Sequence, residues 1–386
     1  MNQPSYNIQH LAELLQDHFG WNRARIKCII FLIVGMLQMG TVNLAKIAAT
    51  FPGKAKLGSH YKRLQRLLCQ FSIDLDRVAQ FIARLVPLFK FKLTLDRTNW
   101  KYGDSNINYL VLAIVYCGSS TPLLWVALSK RGNSNTKERI DLMNRFIALF
   151  GTQAIDCLFA DREFIGIKWF KYLIDKKINF VIRIKKNTLV SNSRGSLVSA
   201  ENLFRNLPRG TFLVLSGKRT ILGQSLYVIG LKMLNGDFVI IATPDQPETA
   251  LENYKQRWPI ETLFCCLKSR GFDMESTHIT DPKRLEKLFV FLAITFTWAQ
   301  VIGEWQHEVK PIKLKNHGRP AQSLFRLGLD YLRACLFHHQ EPDRQAAFHQ
   351  ALDRLFKRFG WRPQNCPWLP PTNPPPGQNL ALSSIG

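Results

Sequence analysis

The sequence predicts an α/β protein: a mixed-sheet core carrying a β-rich insertion, with all-helical regions on either side. Three observations predict it. Residues 1–88 place apolar side chains at helical spacing, whereas from residue 91 the apolar residues alternate or run continuously between short turns, as strands do. The stretch 187–245 is rich in Ser, Gly and Asn and carries several short strand-like pieces.

The elements follow in order. Leu11, Leu14 and Leu15 open an amphipathic helix, and the apolar run 28–39 makes a second, buried one. A short helix over 41–50, a Pro52-Gly53 turn and a basic helix over 59–68 have a helix-turn-helix layout, with Lys62, Arg63 and Arg66 gathered on one side. Strands are expected at 92–96, 109–116 and 123–128, the last two joined by the turn 118–122. Asn135 or Thr136 can cap a helix reaching Phe150. A strand over 154–160 delivers Asp161 at its end, and a helix near 165–176 precedes a strand over 179–184. Short connections make the first three strands antiparallel, and helical crossovers make the later pairs parallel. This is the element order of the ribonuclease-H-like fold. Pieces at 211–215, 225–231 and 237–242, with Asn235-Gly236 as a turn, make the insertion antiparallel. Helical sequence returns from about 248 to 302, interrupted at Gly271 and Asp281-Pro282, and a Pro-rich, extended tail is expected from 363. The expected division is 1–88 as a helical region whose basic helix-turn-helix layout suits DNA; 89–186 with 246–305 as the mixed-sheet core; 187–245 as the insertion; and 306–386 as a helical region with a Pro-rich tail.

The 386 residues, 46% of them hydrophobic, suffice for two or three domains and exclude a mostly disordered chain. A formal net charge of +24 points to a polyanionic partner, nucleic acid ahead of a membrane surface. The eight cysteines include no C-x-x-C pair, which suits buried thiols in a reducing cytosol better than a disulfide framework. The N-terminus is polar without a signal-peptide layout, and the apolar runs 28–39 and 288–302 fall short of the roughly 20 residues of a spanning helix. A cytoplasmic protein that does not enter the membrane is expected.

Asp96 falls mid-strand, where an ionised carboxylate is costly to bury alone, and Asp161 ends the fourth strand. Were those strands neighbours, both carboxylates would converge on one edge. The bland alternative for each is an ion pair with its neighbour, Arg97 or Arg162. The strongest local signal runs from Tyr254 to Lys268. At about 100° per residue, Arg257, Glu261 and Lys268 lie within about 60° of Tyr254 on a helical stripe. Pro259 either kinks that helix or begins it, and it pushes Trp258 out of the α region.

These residues resemble the DDE transposases of bacterial insertion sequences, in the group with the Y-(2)-R-(3)-E-(6)-K signature. Tyr254, Arg257, Glu261 and Lys268 match its spacing without a gap. Leu95-Asp96-Arg97-Thr98-Asn99-Trp100 resembles the first-Asp motif, and Phe159-Ala160-Asp161-Arg162-Glu163-Phe164 the second. The resemblance implies that Asp96, Asp161 and Glu261 are catalytic and hold two Mg²⁺ ions, with Mn²⁺ able to substitute. Two hard cations about 3.5–4 Å apart suit in-line attack on a phosphodiester, where charge develops on both the attacking and the leaving oxygen. It further implies that Tyr254, Arg257 and Lys268 hold phosphates near the transposon end, with Trp258 stacking on a flipped base. Its implied partners are double-stranded DNA, as transposon ends and target, and a second copy of the chain in a synaptic homodimer. Family members with this signature can cut the second strand through a hairpin, and some carry a second stacking Trp in the insertion. Here 187–245 has no Trp, so that role falls to Tyr227 or a Phe, or is absent. Two other readings are a DNA-binding regulator without catalysis and a ribonuclease-H-like nuclease that does not join strands. In the C-terminal region, five histidines (His307, His317, His338, His339, His349) lack ligand-spaced partners. Leu324, Leu327, Leu329, Leu332 and Leu336 make a stripe suited to the core or, as favoured here, a dimer contact.

Overall fold

The computed structural model describes residues 9–360 apart from Gly103, Ser129, His317 and the side chain of His10. The first eight residues and the Pro-rich tail lie outside the described residues. Five helices open the chain: α1 Gln9–Phe19, α2 Arg23–Met39, α3 Leu44–Ala48, α4 Leu57–Gln70 and α5 Leu75–Leu85. Then come β1 Phe91–Tyr102, β2 Ser105–Tyr116, β3 Ser119–Ala127, α6 Thr136–Phe150, β4 Ile155–Ala160, α7 Ile167–Asp175 and β5 Phe180–Ile184. Asn135 caps α6 as expected, and Glu138 reciprocates in a capping box, which satisfies two backbone N–H groups at that end.

The strand order β3-β2-β1-β4-β5, with β1 antiparallel to β2 and parallel to β4, is that of the ribonuclease-H-like fold. The next segment holds β6 Leu189–Ser191, β7 Leu197–Ser199, β8 Phe212–Val214, β9 Arg219–Ile221, β10 Gln224–Lys232 and β11 Phe238–Thr243. These strands do not form a sheet apart. β11 pairs antiparallel with β5, and β10 with β11, so the central sheet continues into the insertion.

Five α-helices follow the sheet: α8 Ala250–Tyr254, α9 Pro259–Cys265, α10 Pro282–Val309, α11 Leu324–Phe337 and, last among the described elements, α12 Pro342–Gly360. α10 is longer than the sequence suggested. Its 28 residues are apolar enough to cross a membrane by length and composition, yet 89% of its most apolar window is buried within the protein. It packs against α2, α4, α5, α11, α12 and β3, which makes it the centre of the helical core.

α11 approaches α10 through glycines. A Cβ on Gly328 would sit 1.8 Å from the Ala299 carbonyl oxygen, and one on Gly303 the same distance from that of Leu324. The leucine stripe is therefore core: Leu329, Leu332 and Leu336 are buried within this chain, while Leu324 and Leu327 are half-buried. The preference for a dimer contact there is corrected, because α10 already covers its buried leucines.

Candidate active site

Pairing between β1 and β4 stops at Leu95 and Ala160. The next residues are Asp96, still within β1, and Asp161, the first after β4, so the two carboxylates stand where neighbouring parallel strands part. Past Leu95 the edge of β1 facing β4 has no strand partner, and the Arg97 N–H instead donates to Asp96 Oδ1 at 2.7 Å. Ligands of open α/β sheets bind at such carboxyl ends of strands, where backbone groups and side chains are not consumed by the ladder.

The 250–270 segment crosses this opening, and it is not one regular helix. α8 ends at Tyr254, a tight 3-10 turn spans Lys255–Arg257, and α9 restarts with Pro259 as its first residue. There the missing proline N–H costs nothing, since the first N–H groups of a helix have no internal partner. Trp258 nevertheless holds helical angles (φ −60°, ψ −31°), against the expectation that Pro259 would displace it. A widened π turn at Cys266–Arg270 follows, a distortion common at functional sites.

Despite these breaks, three of the four signature side chains reach β1 or the end of β4, and the fourth, Glu261, is held by one of them. The Tyr254 hydroxyl donates to Asp161 Oδ1 at 3.2 Å. Arg257 donates to Asp96 Oδ2 at 3.4 Å and to Glu261 Oε1 at 2.5 Å. Lys268 Nζ donates to the Asn99 carbonyl at 2.6 Å, three residues beyond Asp96 on β1. Arg257 also lies 5.7 Å from the Tyr254 ring centroid, within cation–π range. Trp258 leaves half its surface exposed, its ring edge-on to Tyr254 at 6.5 Å.

Burial raises the Asp96 pKa to about 6, against the lowering effect of the Arg97 N–H and of Arg257. The same cause lifts the Tyr254 hydroxyl above its ordinary range and pulls Lys268 below its own. The neutralising cations are not the sequence neighbours Arg97 and Arg162. They are Arg257 and, at 3.9 Å from Asp161 Oδ1, Arg183 of β5. Arg183 carried no role in the sequence reading, although a lone charge inside the apolar run 179–184 was a usable signal.

The structure places Asp96 in mid-β1 and Asp161 just past β4, side by side where the two strands part, and ties Glu261 to Asp96 through Arg257. Among the described residues no three His, Cys, Asp or Glu side chains stand close enough to cage a metal ion as placed. The donor set still fits a hard divalent cation: three carboxylates, of which Asp96 is half-buried, has a raised pKa and faces the Arg257 guanidinium at 3.4 Å.

Of the aromatic residues considered for base stacking in the insertion, Tyr227 is half-buried beneath Lys218, Phe204 is buried and Phe212 is exposed. No curated protein matches the chain. A cryo-EM structure of a piggyBac transposase synaptic complex with hairpin DNA is similar over 87% of this chain and 76% of that one, at 12% identity and a TM-score of 0.47. Residues 87–298 match the family model described as the transposase DDE domain, and they contain every residue of the site. With more than half its length inside that match, the chain belongs to the DDE-domain transposases and is a DNA transposase.

Proposed function

We propose that this chain is the transposase of a bacterial insertion sequence of the Y-(2)-R-(3)-E-(6)-K group, that it binds terminal inverted repeats, and that it cuts and joins DNA strands using Asp96, Asp161 and Glu261. The observation that carries the reading is that Tyr254 holds Asp161 and Arg257 joins Asp96 to Glu261 where β1 and β4 part.

In this reading the three carboxylates hold two Mg²⁺ ions, or Mn²⁺, which supply charge stabilisation for both oxygens of an in-line phosphoryl displacement. The protein's own groups orient the strand. Arg257 and Lys268 provide charge-assisted donors for phosphate oxygens, and Arg257 Nε is buried without an acceptor among the described residues. Tyr254 holds Asp161 in place, and Trp258 offers an exposed ring to an extruded base.

End binding falls to the helical N-terminal region, where α3 and α4 keep the expected layout. Lys62 and Arg66 face solvent, but Arg63 turns inward and donates to the Ala24 carbonyl. Lys62, Gln65, Arg66, Cys69, Gln70 and Arg284 line a groove of about 370 Å³, so the basic surface spans α4 and the start of α10. Such a cluster suits a DNA backbone, and binding through it weakens steeply with salt. The protein acts as a synaptic homodimer at the nucleoid in this reading.

Incubation with Mg²⁺, paired inverted-repeat ends and target DNA tests it. The expected result is nicking at the 3′ ends followed by joining to target. Folded protein that binds ends yet never cuts them would indicate the regulator instead. Cutting of branched DNA without end preference or joining would indicate the nuclease.

A further inference from the structure

A second polar network lies on the opposite face of β1 from Asp96, because side chains alternate along a strand. Its centre is Arg97, whose guanidinium sends one donor to each of three chain segments: Nε to Glu163 Oε1 at 3.4 Å, Nη1 to Asn108 Oδ1 at 3.2 Å and Nη2 to Asn133 Oδ1 at 3.3 Å. Asn108, buried on β2, passes the link on by donating to the carbonyls of Lys130 at 3.1 Å and Gly132 at 2.9 Å. Arg139, buried in the first turns of α6, closes the ring. It donates to the carbonyls of Glu163 at 3.0 Å and Ile165 at 3.3 Å, and to Ser134 Oγ at 2.9 Å.

The loop after β4, which begins at Asp161, is thus held from two directions: by Arg139 through its backbone and by Arg97 through the Glu163 carboxylate. Arg97 is also the residue after Asp96, and its own N–H donates to that carboxylate. One side chain therefore joins the strand bearing the first Asp to the loop bearing the second, at the level where the β-ladder no longer does so. A planar guanidinium suits this task, since its donors diverge in fixed directions; a lysine ammonium concentrates its donors at one point.

We infer that Arg97, acting through Glu163, is a positioning residue that sets the separation of Asp96 and Asp161. This rests on the proposed reading of those two aspartates as metal-holding groups. Arg97 touches neither DNA nor metal in this role.

The experiment compares Mn²⁺ binding, by electron paramagnetic resonance titration of the full chain, in Asp96→Ala, Arg97→Gln, Arg97→Lys, Glu163→Gln and the Arg97→Gln/Glu163→Gln pair. Loss of an outer hydrogen-bond partner typically lowers metal affinity about 10–100-fold, and that fall is expected for Arg97→Gln. Arg97→Lys should recover only part of it, and adding Glu163→Gln should lower affinity no further. Binding of end DNA without divalent metal, and the unfolding midpoint, should stay close to those of the parent. Wild-type Mn²⁺ affinity in Arg97→Gln, full recovery by Arg97→Lys, or additive losses in the pair would each overturn the inference. If Arg97→Gln does not fold, Glu163→Gln severs the same ion pair with nearly the same shape, and its unchanged Mn²⁺ affinity would overturn it equally. Unchanged affinity in Asp96→Ala would remove the metal-site reading and this inference together, whereas a loss in Asp96→Ala alone removes only this one.

Discussion

Two regions of this molecule hold their parts together by opposite means. At the α10–α11 seam, shape does it: Gly303 and Gly328 let two backbones nearly touch, and Phe325 stacks on Phe296 at 4.5 Å. At the cleft between β1 and β4, charge does it: Asp96, Asp161 and Glu261 are restrained by Arg257, Arg183 and Tyr254. Packing rewards the seam directly, since buried apolar contacts need no partner of defined charge. A half-buried carboxylate such as Asp96 gains nothing from packing, and the desolvation it suffers penalises its charged form. The cleft is a place where the fold tolerates cost, as functional sites commonly do.

The contrast can be broken most forcefully by exchanging what each region loses. Asp161→Ala should reduce end nicking about a hundred- to a thousandfold, the scale of losing a main transition-state stabiliser, while end binding by gel shift stays near that of the parent. Loss of binding in step with nicking would instead make Asp161 a structural residue.

Next in size are the pH effects of two raised carboxylates, one per region. Asp96 stands near 6, and Glu304, buried on α10 beside Arg358, near 7. A carboxyl with a folded pKa above its unfolded value favours the folded state fully below the unfolded pKa. That contribution is lost as pH rises through the folded pKa. Metal-free protein should therefore lose stability between about pH 4 and 7, with about 3 kcal/mol at stake for each group. Saturating Mg²⁺ should offset only the Asp96 part, and Glu304→Gln should remove only the other. Chemical denaturation across that pH range, with and without Mg²⁺, separates them; equal effects of Mg²⁺ on both would erase the distinction between the regions.

Gly328→Ala should cost about 1–3 kcal/mol by overpacking the seam, with nicking per folded molecule unchanged. A thermal melt beside an activity titration reads both. Smallest is the stability effect of Glu261→Gln. Its side chain is 56% exposed, and such pairs contribute about 0–1 kcal/mol, so the melting point should barely move although nicking is lost. A melting point lowered as far as that of Gly328→Ala would mean that the cleft is built like the seam.

Much of this was legible in the sequence for physical reasons. Alternation and turn chemistry located β1 to β5, and the capping residues located α6, because those signals are local. The catalytic-site candidates were legible because spacing along 254–268 survives even where the helix is irregular: the 3-10 and π turns on either side of α9 still deliver Tyr254, Arg257 and Lys268 to β1 and the end of β4, with Glu261 held by Arg257. What stayed hidden was non-local. Nothing in the local sequence says that Arg257 rather than Arg97 faces Asp96, or that β11 would join β5. The leucines of α11 suit a core or another chain from their own sequence, and the second was favoured because α10, which covers them, lies outside the stripe.

The central claim is that Asp96, Asp161 and Glu261 become one metal site although Arg257 here bridges Asp96 and Glu261. Anomalous diffraction from crystals of the full chain with inverted-repeat DNA and Mn²⁺ tests it most directly. The expected result is Mn²⁺ bound by all three carboxylates, with Arg257 moved off Asp96 onto a DNA phosphate. Ordered DNA in the cleft with no Mn²⁺ at Asp96 and Asp161, and Arg257 still bridging, would contradict it.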